Sequence, residues 1–550
     1  MKRLQNQGKA LAIGAAIGFL ALSAGRALAE DRPVVSARAG QRPPRPMPAA
    51  SPEGIRLSLE QAIGLALANN QDLNVTVNAA EASRYNLFSD QGIFDPVFSA
   101  AATRSHAEQP VSSRLQTAAA QTAVISNVTD FSASVQQLAP TGGVFSLGLK
   151  GENFRTNSTF YSVYPSKTAN LTITLTQPLL RNLGATPTKW LIYIARNTRD
   201  ATYQAFVRSV QSTVNGVEQA YWDLVYATQN LEVKKESLRI AQDLNRITKI
   251  KIDVGSLAPI DITQTEFGIA TAEQDIITAD GLIGDAQDRL KRLLNVDSAK
   301  WAVPIAPTDP VRVAETTIRL EEGTKTALAR RPEILSQAYV VDSDRIRYDY
   351  WKNQTLPGLN LVGSYGTAGL GGSFAGTTPL IETGFSDAFS DAIHNRNKNW
   401  SIGLNVSYPI LNRSARGSRG AAQYSWESDK ALLTTTEQNV LVEVRAAARA
   451  IDTARRQIAA ASKGRELAEK NLDAEKKKFD NGMSTTFQVN QIQRDLSAAR
   501  TTELQALAAY RKALAGYHLA VADILEWKGI QVEGVPEGAP LPGELKAGGR

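Results

Sequence analysis

Asn399-Trp400-Ser401-Ile402-Gly403-Leu404-Asn405-Val406-Ser407-Tyr408 is the stretch that decides the fold. Trp400, Ile402, Leu404, Val406 and Tyr408 fall on one side of an extended chain. Asn399, Ser401, Gly403, Asn405 and Ser407 fall on the other, so the stretch alternates as a strand with one apolar and one polar face does. A soluble sandwich alternates too, but here Trp400 and Tyr408 bracket the apolar row, as aromatic girdles bracket the apolar band of a membrane barrel. Eight steps of about 3.3 Å span roughly 26 Å, close to the height of that band. The apolar row reads as lipid-facing.

Other segments follow the same rule. Leu171, Ile173 and Leu175 alternate with Thr172, Thr174 and Thr176. Both stretches stop at a proline, Pro178 and Pro409, which has no N–H to give a ladder. The opposing strands begin after Pro96 and Pro357. An additional hairpin is expected where Phe131-x-Ala133-x-Val135 and Phe145-x-Leu147-x-Leu149 flank Pro140-Thr141-Gly142-Gly143. Whether it joins the same sheet is left open by the sequence. Strands number four without it and six with it, whereas a closed transmembrane barrel needs at least about eight and an open edge cannot face lipid. Several copies must therefore share one barrel.

The chain also repeats itself. Leu57-Ser58-Leu59-Glu60 and Ala66-Leu67-Ala68 recur 261 residues later as Ile318-Arg319-Leu320-Glu321 and Ala327-Leu328-Ala329. Gln177-Pro178-Leu179-Leu180 answers to Tyr408-Pro409-Ile410-Leu411. Asp253-x-Gly255 and Gln264 answer to Asp480-x-Gly482 and Gln491, 227 residues on. A period this long exceeds the roughly 20–50 residues of solenoid repeats and reads as one duplicated half.

Each half continues into long helical stretches, about 190–294 and about 418–525, interrupted only near Asp253 and Asp480. Ile262, Ile269, Ile276, Ile283 and Leu290 recur at seven, and so do Ala272, Ala279 and Ala286, matched by Ala499, Ala506 and Ala513. Two apolar rows on one helix give it a neighbour on each side, and small residues in one row let backbones approach closely. Helices flanked on both sides can close into a tube.

Composition narrows the rest. Lys2 and Arg3, an apolar run from Ala10 to Ala24 and Ala27-Leu28-Ala29 read as a signal peptide over residues 1–29. A Pro/Arg-rich leader follows over 30–54. The first half then spans 55–295, a crossover 296–317, the second half 318–527 and a Gly/Pro-rich tail 528–550. The absence of cysteine excludes disulfides and a lipidated cysteine, so membrane attachment falls to the fold. Three scattered histidines supply no metal site, no cofactor and no catalytic group. A net charge of +7 spread over 550 residues does not suggest nucleic acid as a partner.

The duplicated halves, Phe94-Asp95-Pro96 at a strand start, Gln177-Pro178-Leu179-Leu180 at a strand exit and the turns Asp253-Val254-Gly255-Ser256 and Asp480-Asn481-Gly482-Met483-Ser484 together resemble the TolC-like outer-membrane efflux family over about residues 55–527. That resemblance implies an α+β membrane protein, a homotrimer with a shared antiparallel β-barrel in outer-membrane lipid and a long periplasmic α-helical barrel. It implies an exit duct that works with a periplasmic adaptor (membrane fusion protein) and an inner-membrane pump of RND, ABC or MFS type, or within type I secretion. By matching positions, Gly255, Ser256, Leu257, Gly482, Met483 and Ser484 would meet the adaptor. Asp261, Gln264, Gln488 and Gln491 would line the periplasmic constriction. Asp261 also has a simpler reading, a first-turn carboxylate favoured by its helix dipole. A stand-alone porin and a periplasmic coiled-coil scaffold are the competing functions.

Overall fold

The computed structural model describes residues 54–113, 116, 121–311, 318–374 and 383–532. The expected signal peptide, all of the leader but Gly54, residues 312–317 of the crossover and residues 533–550 of the tail lie outside the described residues. The elements run β1 (Ile55–Leu57), α1 (Leu59–Asn69), α2 (Gln71–Gln91), β2 (Val97–Pro110), β3 (Ala123–Leu138), β4 (Val144–Thr156), β5 (Val163–Pro178) and α3 (Ala185–Thr188). They continue with α4 (Trp190–Asp253), α5 (Ile260–Leu294), β6 (Ile305–Pro307), α6 (Leu320–Arg330), α7 (Pro332–Gln354), β7 (Gly358–Phe374) and α8 (Phe385–Ile393). The last are β8 (Asn397–Ser407), α9 (Arg413–Asp480), α10 (Thr486–Val521) and α11 (Ile524–Trp527).

The described residues divide into two units. One takes the chain up to Ala79, Tyr203–Leu335 and the residues from Thr435; the other takes Ala80–Thr202 and Ser336–Thr434. The second unit holds a six-stranded antiparallel sheet ordered β2-β3-β4-β5-β7-β8. The additional hairpin is β3–β4, and it lies inside the sheet between β2 and β5. Some boundaries differ from the sequence reading. Ser407 ends β8, so Tyr408 follows the strand instead of closing it. Helix α9 starts at Arg413, five residues earlier than the pattern gave. Helix α10 stops at Val521 because Ala522 turns left-handed (φ 65°), and α11 is a separate turn.

The first unit is helical and has its core where α4 meets α1 and α5. Trp222, Tyr221, Val214, Val217 and Leu224 of α4 are buried with Leu290 and Leu294 of α5 and Ala62 and Leu65 of α1. Ser58 opens α1 with a capping box: its hydroxyl accepts from Gln61 N, and the Gln61 side chain accepts from Ser58 N. Strands β1 and β6 pair in parallel over three residues, too few for a periodic signal in the sequence.

One buried side chain ties these pieces together. Tyr221 Oη donates to Asp309 Oδ2 at 2.6 Å, lies 3.1 Å from Leu57 O and accepts from Thr308 N and Asp309 N. Asp309 Oδ2 also accepts from Leu59 N. Burial, reinforced by the Asp309 carboxylate, pushes the phenol up to about 12, so it stays a donor throughout the neutral range. Tyr221→Phe should cost roughly 1–3 kcal/mol, since it removes the acceptor of Asp309 N and one of the two donors to Asp309 Oδ2. Denaturant unfolding of the purified protein checks this; an unchanged midpoint would show that water replaces the hydroxyl without loss.

Candidate functional site

In the helical unit, two helix pairs end in turns with the same bonding, 227 residues apart. Gly255 (φ +75°) donates to Ile252 O and Ser256 N to Lys251 O; Gly482 (φ +74°) donates to Phe479 O and Met483 N to Lys478 O. Both are Schellman caps with glycine at the left-handed position. A Cβ on either glycine would meet nothing within 4 Å, so the glycines answer to backbone conformation and not to crowding. The turns therefore end in bare, open backbone. Ser256 is exposed and Met483 is 71 % exposed.

Not every residue of the turns points outward. Leu257 packs against a cluster of Leu244, Leu472, Phe479, Val489, Ile492 and Leu496. Ser484 Oγ donates to Glu475 Oε1 at 2.6 Å, and Lys478 Nζ bonds Glu475 Oε2 at 3.0 Å. These bonds, the Ser484 one first, hold the Glu475 carboxyl below its usual value. Lys251 Nζ donates to the Phe479 carbonyl, sits 4.2 Å from the Phe479 ring centroid and reaches Asp480 O at 3.4 Å. A lysine from one turn thus caps the C-terminal carbonyls of the other, where the helix dipole is negative. Sequence reasoning did not single out Lys251 or Glu475. The signal for the first was present: Lys251 and Lys478 stand at the same 227-residue offset as the glycines.

The four expected constriction residues lie in the first turns after these caps. Asp261 is half-buried and has no ion-pair partner among the described residues. Gln264 is exposed, and its carbonyl accepts from Asn490 Nδ2 at 3.1 Å. Exposed Gln488 gives its N–H to the Thr485 cap at 3.3 Å. Gln491 is bound at both ends, donating to Asp495 Oδ1 at 3.0 Å and accepting from Arg494 Nη2 at 2.7 Å. Beside them a groove of about 730 Å³ runs between α4, α5 and α10. Phe267 and Phe487 line it while largely exposed, and a Lys234–Asp275 ion pair at 2.9 Å crosses it.

In the other unit, the register assigns the paired strand residues to faces. Phe98, Val135, Leu147, Ile173, Tyr365 and Trp400 form one row across all six strands. Leu171 falls in the row above on that face, and Leu175 with Ile402 in the row below; Leu404 and Val406 continue it. Trp400, Ile402, Leu404 and Val406 are 65 % to 74 % exposed. The opposite face carries Ser99, Ser134, Gly148, Thr172, Gly366 and Asn399 as one row. Helix α8 covers part of the apolar face, with Ala388 and Ala392 on Ala169 and with Phe385 and Phe389 beside Phe131. Gly369 admits it, since a Cβ there would collide with the Ala388 carbonyl. No described helix is long and apolar enough to cross a membrane.

Long helices joined to a strand sheet with one exposed apolar face define an outer-membrane channel fold. The backbone is similar to the Campylobacter jejuni CmeC outer membrane channel (TM-score 0.62, 17 % identity, 85 % of this chain and 86 % of that one). It is also similar to VceC from Vibrio cholerae (TM-score 0.60, 14 % identity, 84 % and 95 %). The sequence profile of the outer membrane efflux protein family matches residues 145–296 and 324–520, and the chain belongs to that family. It is 20 % identical over 335 residues to nodulation protein T of Rhizobium leguminosarum bv. trifolii, covering 58 % of this chain and 65 % of that protein. It is 23 % identical over 308 residues to outer membrane efflux protein BepC of Brucella suis biovar 1, covering 54 % and 60 %. The match spans under two thirds of the length of these curated relatives.

The Glu475 contact has a defined pH sense. A carboxyl held low in the folded state adds stability at pH values above its unfolded value, near 4.3, and that stability is lost as pH falls through the folded value. Ser484→Ala should therefore speed amide exchange around residues 479–485 at pH 7, and the difference from the parent should shrink below about pH 4. Hydrogen-exchange mass spectrometry reads it; an equal difference at pH 3 and pH 7 would mean the carboxylate charge plays no part.

Proposed function

We propose that this chain is the exit duct of a tripartite efflux or type I secretion system, carrying substrate passively from periplasm to exterior while a partner inner-membrane pump supplies the energy. Three copies share one barrel in outer-membrane lipid, and their helices form a periplasmic tunnel. The observation that carries the reading is the sheet: one exposed apolar face and two edges that lipid cannot solvate. Trp400, Ile402, Leu404, Val406, Leu171, Ile173 and Leu175 face lipid, with Tyr408 just beyond the strand.

In this reading the helical hairpin of a periplasmic adaptor docks on the open turns at Gly255-Ser256 and Gly482-Met483, where bare backbone admits close approach. Asp261, Gln264, Gln488 and Gln491 line the constriction. Three copies place charge at only three of six quasi-equivalent positions, since Gln488 stands opposite Asp261 in the repeat. A ring of three carboxylates around a narrow axis favours cations.

Localisation separates this duct from a scaffold: the chain should fractionate with outer membranes and need detergent for release, whereas recovery in the soluble periplasm overturns the proposal. Gly255→Val with Gly482→Val should abolish efflux while leaving the trimer intact on native gels. Each substitution forces a branched residue into a left-handed position at about 1–2 kcal/mol or more, on a surface where nothing else is in contact. Full export by that double variant would remove the turns from the docking surface. Asp261→Asn should lower cation preference in planar-bilayer recordings; an unaltered channel leaves Asp261 only its helix-dipole role. A conductance insensitive to every tip variant would favour the porin.

A further inference from the structure

The two halves differ most in the sheet. The second half contributes two strands, β7 and β8, whereas the first contributes four, because β3 and β4 are inserted between β2 and β5. We infer that the inserted hairpin is part of the membrane wall, so that three copies close an 18-stranded barrel instead of the 12-stranded one that two strands per half would give. The inference rests on the shared-barrel reading above and goes beyond it, since that reading holds for either number.

Three observations carry it. The hairpin is laddered on both sides over its length: β2 pairs with β3 from Val97↔Gln136 to Pro110↔Ala123, and β4 pairs with β5 from Val144↔Thr176 to Phe154↔Ser166. Its two strands have 16 and 13 residues, more than the roughly 9–11 that a tilted strand needs to cross. Its faces keep the parity of the rest, with Phe131, Ala133, Val135, Phe145, Leu147 and Leu149 on the apolar side. Ser132, Ser134, Gln136 and Ser146 are on the polar side. A hairpin lying beside a barrel would need no such match.

Its turn is also built into the end of the sheet from which β5 exits. Gly142 (φ +85°) donates to Ala139 O at 2.9 Å, and Gly184 N donates to Thr141 O at 2.9 Å. Thr141 Oγ1 bonds Gln177 Oε1 at 3.0 Å, and a Cβ on Gly142 would strike the Asn182 carbonyl. The strand-exit segment after β5 is thus shaped around this turn.

The consequence is width. With strands about 4.8 Å apart and tilted by about 40°, 18 strands close a ring ~36 Å across between backbone centres and 12 strands one of ~24 Å. Allowing about 5 Å of side chain on each wall, the wider ring leaves roughly 25 Å, more than twice the width of an α-helix. Such an exit admits polypeptide cargo with its hydration shell as well as small solutes.

Because the chain has no cysteine, introduced pairs report cleanly. The full-length protein, oxidised in native outer membranes, should cross-link within one chain for Ala101→Cys with Ser132→Cys and for Ser146→Cys with Thr174→Cys. It should fail to cross-link for Ala101→Cys with Thr172→Cys, which in the six-stranded sheet lie three strand spacings apart, about 14 Å, beyond disulfide reach. A cross-link in this last pair, or the absence of the first two, overturns the inference by restoring β2 beside β5. End-on cryo-electron microscopy of the purified protein should show 18 strands, and a ring of 12 likewise overturns it. The underlying reading has its own arm: Asn405→Cys on β8 scanned against Ser99→Cys, Ala101→Cys and Thr103→Cys on β2 should yield covalent trimers. If none of these pairs links copies, the shared barrel fails together with everything built on it.

Discussion

A backbone N–H or C=O in hydrocarbon has no water to bond, so a strand in lipid must be paired on both edges. The rest of this protein is arranged around that constraint. Strands β3, β4, β5 and β7 are satisfied within the chain, and β2 and β8 each keep one open edge. Placed in lipid, a sheet with two such edges and one exposed apolar face would be complete only as a segment of a larger ring. The proposed trimer follows from this requirement, and in that proposal the six strands of each chain set the size of the ring.

The helical unit meets a different demand with the same economy of residue types. Helices of 64 and 68 residues cannot be held by one globular core. Their burial is local instead: aromatic at Tyr221 and Trp222, small at Ala220, Ala227 and Ala454, aliphatic at Leu244 and Leu472 near the turns. The helix ends are satisfied by the chain itself, through the left-handed glycines and through Lys251 lying on the carbonyls of the opposite turn. Rigid caps that leave their tips bare suit the adaptor-docking role proposed for them.

Much of this was legible in the residues because it rests on short periods. Alternation at Trp400–Val406 and Leu171–Leu175 put these side chains on one face, and the register agrees pair by pair. Asp253-x-Gly255 and Asp480-x-Gly482 announced two similar turns, and both have the same hydrogen bonds. What stayed hidden depended on contacts between segments distant in sequence. Glu475 bonds Ser484 across a turn, Tyr221 binds Asp309 from 88 residues away, and β1 and β6 pair over only three residues. None of these leaves a periodic trace.

The sequence by itself determined which residues form strands and helices, which sides of them are apolar, and where the chain turns, since these follow from the geometry of neighbouring residues. The chain's family membership was legible for the same reason, in turn and strand-exit motifs at repeated offsets. Only the tertiary structure decided that β3 and β4 lie within the sheet. Alternation is the same for a hairpin inside a barrel and one beside it; strand order depends on which backbone edges meet, and edges carry no side-chain signature.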